Sequence, residues 1–276
     1  MAIEYKNSPL VCREEQSIWV VGDVHGCYDE FMDVVGNPAI KDDDIVILVG
    51  DIIDRGSESV KMLKWAMENV NKDGKYILIR GNHEQGVIDS YYKLKASYKK
   101  RCDEIGAEKE QFKHYKEFYL RSMMAPYDFT DYMEKADIRT VGDAEPYIHW
   151  MRRLPHFVRV DIPGIRKYVV AHSWFNGELE EDGGIYVLDG DSDILDTRDV
   201  DFYDRLLDTD YSPMEDEMLI HGHTPIVIID GHRNTPAVPI IKEYSVNIDG
   251  GCCYGKECGG RLIALCLNDG RVIYSE

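Results

Sequence analysis

Six residues of metal-binding type stand at the ends of apolar runs. Asp23 and His25 lie in Gly22-Asp-Val-His-Gly26, directly after Ser17-Ile-Trp-Val-Val21. Asp51 follows Ile45-Val-Ile-Leu-Val-Gly50, and Asn82 follows Lys75-Tyr-Ile-Leu-Ile79 after Arg80 and Gly81. His172 closes Arg166-Lys-Tyr-Val-Val-Ala171, and His223 sits in His221-Gly-His-Thr-Pro225 after Glu217-Met-Leu-Ile220. Two carboxylates, one carboxamide and three imidazoles, with no thiolate, suit divalent ions such as Mn²⁺, Fe²⁺ or Zn²⁺. Six protein ligands are too many for one catalytic cation that must keep open positions. They suit two cations about 3.5–4 Å apart that share one carboxylate. Asp51 is the natural bridge if its strand lies between the others.

The elements that must position these residues are legible around them. The run 45–49 is apolar throughout, which marks a strand buried on both faces, as in a parallel sheet. A carboxylate after such a strand sits in the crevice at its carboxyl end, where open α/β sheets bind ligands. Phe31, Val34 and Val35 have the spacing of a helix over 28–35 that faces the sheet. A second helix is predicted from Ser57 to Val70, with Ser57 as N-cap and Val60, Leu63, Met67 and Val70 on one face. Asp42-Asp43-Asp44 reads as a solvated loop. The pattern is β-α-β-α-β, with 23 residues between Gly26 and Gly50 and 24 between Gly56 and Gly81. Each interval holds one helix and one strand, so the three strands should be parallel neighbours with right-handed crossovers, their tips on one edge.

Strand signals vanish over 87–153, which reads as a helical insertion of three or four helices within a single domain of 1–276. Phe112, Tyr115, Phe118 and Tyr119 form a helical stripe there, and Pro126 and Pro146 suit first turns of helices. Its basic cluster, Lys99-Lys-Arg101, reads as a solvated helix end. Strands are predicted again over 156–160, 166–171, 217–220, 227–229, 240–241, 244–249, 261–267 and 271–274, with a helix over 196–207. This run of strands implies a second sheet packed on the first, in an α/β fold.

Composition narrows the partners. The chain has 276 residues, 44% of them hydrophobic, and a formal net charge of −19. Such an acidic surface repels polyanions, so nucleic acid is not an expected partner. A phosphate-bearing substrate must be drawn in locally, by cations or a few arginines. The seven cysteines show no disulfide framework or zinc-ribbon spacing. Cys252, Cys253 and Cys258 lie close together and read as buried or surface thiols. No signal peptide or membrane span is visible, which makes a cytoplasmic setting the expectation.

Taken together, Gly22-Asp-Val-His-Gly26, Gly50-Asp-Ile-Ile-Asp-Arg-Gly56, Arg80-Gly-Asn-His-Glu84, His172 and Gly222-His-Thr-Pro225 resemble the calcineurin-like metallophosphoesterases. More narrowly they resemble the phosphoprotein phosphatase branch, with its small bacterial and phage Ser/Thr phosphatases and the related diadenosine tetraphosphatases. The motifs occur in the family's order and cover most of the chain outside the insertion. The resemblance implies a four-layer sandwich, with two mixed sheets flanked by helices. It implies two divalent cations, Mn²⁺ first, with Fe or Zn as alternatives. Asp23, His25 and Asp51 would hold one cation; Asp51, Asn82, His172 and His223 would hold the other. A hydroxide between them would attack phosphorus in line, with no phosphoenzyme. His83 would protonate the leaving group, oriented by Asp54, and Arg55 and Arg80 would grip the phosphoryl oxygens. Arg198 resembles a further phosphate-binding arginine through a loose local match.

The leading functional expectation is a phosphatase acting on phosphoserine or phosphothreonine, with phosphotyrosine as a further candidate, in proteins or small phosphoesters. The alternative is a bis(5'-nucleosyl)-tetraphosphatase or another nucleotide hydrolase. The remote alternative is a non-catalytic metal-binding scaffold, against which His83, Asp54, Arg55 and Arg80 argue. Blander readings exist for single residues. Asp23 and Asp51 could merely cap the following helices, although capping does not explain the histidines and Asn82 at other tips. Asp54 and Arg55 could form a surface ion pair. His172 by itself would be a core histidine, and His221 is left as a structural or supporting residue. The departures are Ser173-Trp174 after His172 and a longer stretch after Asn247-Ile-Asp249.

Overall fold

A computed structural model describes residues 9–13, 15–70, 74–105, 141–173, 217–229 and 231–276. The chain divides into two compact units, Met1–Asn82 with Leu154–Glu276, and His83–Arg153.

The first unit holds two sheets. In the five-stranded sheet, β2 (Ile18–Val21), β3 (Ile45–Leu48) and β4 (Tyr76–Leu78) run parallel with β3 in the middle. β10 (Ile263–Cys266) pairs antiparallel with β2, and β11 (Val272–Tyr274) closes that edge. In the six-stranded sheet the order is β1 (Leu10–Val11), β5 (Phe157–Ile162), β6 (Arg166–Ala171), β7 (Glu217–His221), β9 (Ser245–Asn247) and β8 (Ile240–Ile241). β6, β7 and β9 are parallel to one another. Each sheet thus has a parallel centre, and its chemical residues follow the ends of the central strands. The expected α/β fold with two mixed sheets and flanking helices is what forms.

Side-chain alternation explains the layering. Ile18, Val20, Ile47, Ile77, Val170, Ile220, Val246 and Ile263 from both sheets form one buried apolar cluster. The intervening residues of the first sheet, Trp19, Val21, Val46 and Leu48, are also fully buried, so both faces of that sheet are covered. On its other side lie α1 (Tyr28–Val35), with Phe31, Val34 and Val35 buried, and α2 (Ser59–Asn69), with Val60, Met62, Leu63 and Ala66 buried. Trp65 of α2 joins these layers by edge-on contacts with Phe31 and Tyr76, at 4.5 and 4.9 Å between ring centroids.

Several local expectations are corrected. Ser57 does not cap α2; the cap position is Glu58, without a side-chain cap bond. Ser59 instead turns its hydroxyl to the carbonyl of Gly56 at 3.3 Å. Asp44 is not solvated but 1% exposed. Its carboxylate accepts from Ser17 N, Lys41 N and Trp19 Nε1 at 2.8, 2.9 and 3.1 Å, which ties the entry of β3 to β2. Residues 226–228 form a 3₁₀ turn rather than a strand, because Pro225 precedes them and Ile228 N closes on its carbonyl.

The second unit is described through α3 (Asn82–Ile105), which starts at the unit boundary, and α4 (Val141–Met151). Glu145 joins the two helices, accepting from Tyr91 Oη at 3.0 Å and from Lys95 Nζ at 2.8 Å. Pro146 lies inside α4 rather than in its first turn. Buried Ala144, Ile148 and Met151 around it hold the helix despite the missing N–H. The aromatic stripe, Pro126 and the 196–207 helix lie outside the described residues. Among the described residues no helix is long and apolar enough to cross a membrane.

Candidate active site

The loops after the central strands are laced together by their backbones. His25 N donates to Asp51 O at 2.8 Å, Gly26 N to Ile52 O at 2.9 Å, and Gly56 N to His25 O at 2.8 Å. In the other sheet Gly222 N donates to His172 O at 2.9 Å. His25, Asp51, Asp54, Arg55 and His223 all have positive φ, between 46° and 69°. Non-glycine residues adopt this region at a cost, and such strain gathers where side chains must be aimed.

Asp23, His25, Asp51, Asn82, His172 and His223 are all brought together and buried, each at most 7% exposed. His172 Nε2 lies 3.0 Å from Asn82 Oδ1 and 3.1 Å from His223 Nδ1, which is itself 3.0 Å from Asn82 Oδ1. Asp51 Oδ2 is 3.4 Å from His172 Nε2 and 3.6 Å from His25 Nε2. Asp51 therefore stands between two imidazoles. Asp23 accepts from His223 N at 3.1 and 3.2 Å through its two oxygens.

Tautomers fix the direction of the lone pairs. His172 Nδ1 faces the carbonyl of Val49 at 3.1 Å, and His25 Nδ1 that of Ile53 at 2.9 Å. A carbonyl only accepts, so both Nδ1 atoms carry protons and both Nε2 atoms turn a lone pair inward. Backbone orientation of this kind is how metal-binding histidines are held. The triangle of Asn82 Oδ1, His172 Nε2 and His223 Nδ1, with edges of 3.0–3.1 Å, matches ligands at right angles about 2.1–2.2 Å from a shared cation. The oxygen and nitrogen donor set, closed on itself with its lone pairs convergent, fits a divalent cation.

Two glycines make room for the carboxylates. A Cβ on Gly81 would run into Asp51 Oδ1, and one on Gly222 into Asp23 Oδ1. Gly81 and Gly222 are thus required by close approach.

Asp249 is the residue that sequence reasoning passed over. It is fully buried, its Oδ1 accepts from Gly251 N at 2.9 Å, and its Oδ2 has no hydrogen-bond partner among the described residues. Burial, with Asp51 nearby, pushes its carboxyl up to about 6. Burial likewise holds Asp23 well above the carboxylate range, reinforced by Asp249 and Asp51. Three acids crowded in a dry space repel one another unless positive charge joins them. The signal in the sequence was an aspartate ending the predicted strand 244–249, in a stretch that resembles the family's strand and turn near the site, with no histidine beside it. His221 is buried and neutral, driven down to about 4 by burial, and its Nδ1 donates to Gly222 O at 3.1 Å.

Arg55 is exposed and interacts with Cys253, Tyr254 and Asp51. Arg80 is 4% exposed, and its Nη2 donates to Leu154 O at 3.2 Å. Asp54 is half-buried in the left-handed turn beside Arg55. His83 follows Asn82 directly and is buried in the opening turn of α3. Arg198 and Trp174 lie outside the described residues.

Comparison with known proteins agrees with this geometry. The chain is 36% identical to serine/threonine-protein phosphatase 1 of Salmonella typhimurium over 74 residues, 26% of this chain and 32% of that one. It is 27% identical to the asymmetrical bis(5'-nucleosyl)-tetraphosphatase PrpE of Halalkalibacterium halodurans over 262 residues, 89% of this chain and 88% of that one. A crystal structure of a candidate diadenosine tetraphosphatase superposes with a TM-score of 0.53 at 17% identity, covering 98% of this chain and 97% of that one. The match to the Salmonella enzyme thus spans about a third of its length, whereas the other two alignments run nearly end to end. A family model for the calcineurin-like phosphoesterases matches residues 16–259, and this chain belongs to that family of metal-dependent phosphoester hydrolases.

Proposed function

We propose that the cluster at the sheet ends binds two divalent cations, Mn²⁺ first, and hydrolyses a phosphomonoester of serine or threonine by direct in-line displacement. The observation that carries the metal reading is the triangle of Asn82, His172 and His223 atoms, 3.0–3.1 Å apart, beside Asp51. Asp23, His25 and Asp51 would hold one cation, and Asp51, Asn82, His172 and His223 the other. When bound, such a pair acidifies a shared water and neutralises the phosphoryl oxygens.

The remaining work falls to the chain's own side chains. His25 and His172 keep their inward nitrogens unprotonated because their outward nitrogens donate to carbonyls. Arg55, on its exposed turn, meets the substrate phosphoryl oxygens with a planar fork, and Arg80 adds a second positive charge. Arg198 is assigned the same task through the resemblance. His83 gives a proton to the departing alkoxide, and Asp54 orients it. With water as the nucleophile, as the family resemblance implies, this reading includes no phosphoenzyme.

A second reading, hydrolysis of a dinucleoside tetraphosphate, is favoured by the end-to-end alignment with tetraphosphatases. The same centre serves both, because cations and arginines contact only phosphoryl groups. A panel of phosphoserine and phosphothreonine peptides, p-nitrophenyl phosphate and diadenosine tetraphosphate, run on Mn²⁺-loaded protein, decides between them. Faster turnover of the phosphopeptides supports the first reading. Diadenosine tetraphosphate far ahead of them establishes the second. A metal-loaded protein inert to every substrate would overturn both in favour of a scaffold.

A further inference from the structure

A second group of metal-binding side chains lies outside the oxygen and nitrogen cluster. One ligand atom each from Cys27, Glu30 and Cys252 lie within 4.8 Å of one another. Cys252 is buried, while Cys27 and Glu30 are half-buried, so solvent reaches one side. Cys252, Cys253 and Cys258 are free thiols, buried, half-buried and exposed in turn, in line with their sequence reading. Cys252 turns toward the start of α1, where its thiol hydrogen-bonds with Cys27 and feels the Glu30 carboxylate. Cys253 turns toward Arg55 instead.

Among the described residues, the other contacts of Cys27 at this end of α1 are weak. Cys27 occupies the cap position of α1 but makes no side-chain cap bond. Besides the Cys252 thiol, its sulfur reaches the His25 carbonyl at 3.8 Å, which is a weak contact. Two sulfurs and a carboxylate gathered together are a soft-to-borderline donor set, unlike the set beside Asp51.

We propose that Cys27, Glu30 and Cys252 form a thiolate site for one Zn²⁺-like cation, separate from the catalytic cluster. Tetrahedral zinc with sulfur at about 2.3 Å places two sulfurs about 3.8 Å apart, inside the observed spacing. A carboxylate oxygen supplies the third position and water the fourth. The third ligand is what distinguishes this arrangement from a dithiol made for disulfide exchange. Occupancy would pin the loop carrying His25 to the turn after β9, since Cys27 is two residues from His25 and Cys252 three from Asp249.

The test uses the whole chain with its catalytic cluster saturated with Mn²⁺, and Cd²⁺ as the probe. One equivalent of Cd²⁺ should raise a thiolate-to-metal charge-transfer band, and Zn²⁺ should displace it. In the unaltered protein, Cd²⁺ should protect Cys27 and Cys252 from maleimide alkylation, read by mass spectrometry, while exposed Cys258 stays reactive. Cys27→Ser and Cys252→Ser should each lose the band, and Glu30→Gln should keep it at higher Cd²⁺ concentrations. The assignment is overturned by no band in the unaltered protein, by a band surviving the double Cys→Ser variant, or by unchanged alkylation of both cysteines. A Cys27–Cys252 disulfide in protein purified without reductant would also overturn it.

Discussion

Asp51 is the residue on which the proposed centre turns. Its carboxylate lies between His25 and His172, at 3.6 and 3.4 Å. Asp51→Asn removes one of two carboxylates from the first proposed cation position and the sole carboxylate from the second, and should strip metal from both along with turnover. Elemental analysis of the purified variant checks this, and full metal content with normal activity would contradict the bridging role. His83→Asn should behave differently, keeping its metal while the chemical step slows by about 10²–10⁴-fold. The loss should shrink for p-nitrophenyl phosphate, whose leaving group needs little protonation. Gly222→Ala drives a methyl group into the Asp23 carboxylate. Mn²⁺ affinity should fall without any ligand having been changed, as read by titration calorimetry.

Elements position these residues through their order in the sheets. β3 lies between β2 and β4, so the loop carrying Asp51 must fall between those carrying His25 and Asn82. Ile47 is at the centre of β3 and fully buried within the apolar cluster shared by both sheets. Ile47→Ala should destabilise the protein by about 2–5 kcal/mol, measured by urea denaturation. In the second unit the pair of Glu145 with Lys95 is exposed, while Tyr91, the other partner of Glu145, is buried. Hydrogen bonds from Lys95 and Tyr91 hold the Glu145 carboxyl below its usual range. Glu145→Gln should therefore lower thermal stability only slightly, and the difference should vanish in high salt.

At the scale of the whole molecule, buried acidity sets the response to pH and metal. Asp249 titrates near 6 in the folded chain against about 3.9 in an unfolded one. Its neutral form is favoured by folding, so the stability it contributes is fully present below about pH 4 and is lost as pH rises through about 6. Protein stripped by a chelator should accordingly melt lower at pH 7.5 than at pH 5. Added Mn²⁺ should raise the melting temperature more at pH 7.5, because cations neutralise the same acids. Scanning calorimetry of stripped and reloaded samples at both pH values checks this; an equal metal effect at each would separate Asp249 from the centre.

Much of this was readable in the chain itself. Continuous apolar runs ending in polar tips, separated by intervals long enough for one helix, already require parallel neighbouring strands and a common edge. That logic placed Asp23, His25 and Asp51, and the later strand ends added His172 and His223. Other features depend on contacts between residues far apart in sequence, which local pattern does not encode. Asp44 looks like part of an acidic loop until Trp19 and Ser17 are folded against it. Asp249 stands in a family-like turn to which the sequence assigns no role, and its chemistry arises from burial beside two other acids. Cys27 and Cys252 are 225 positions apart, and only the return of the chain past the tip of β9 brings them together. Periodicity and residue type determine which strands form and what stands at their ends; the packing of two sheets decides which charges are dry, which lone pairs converge and which thiols meet.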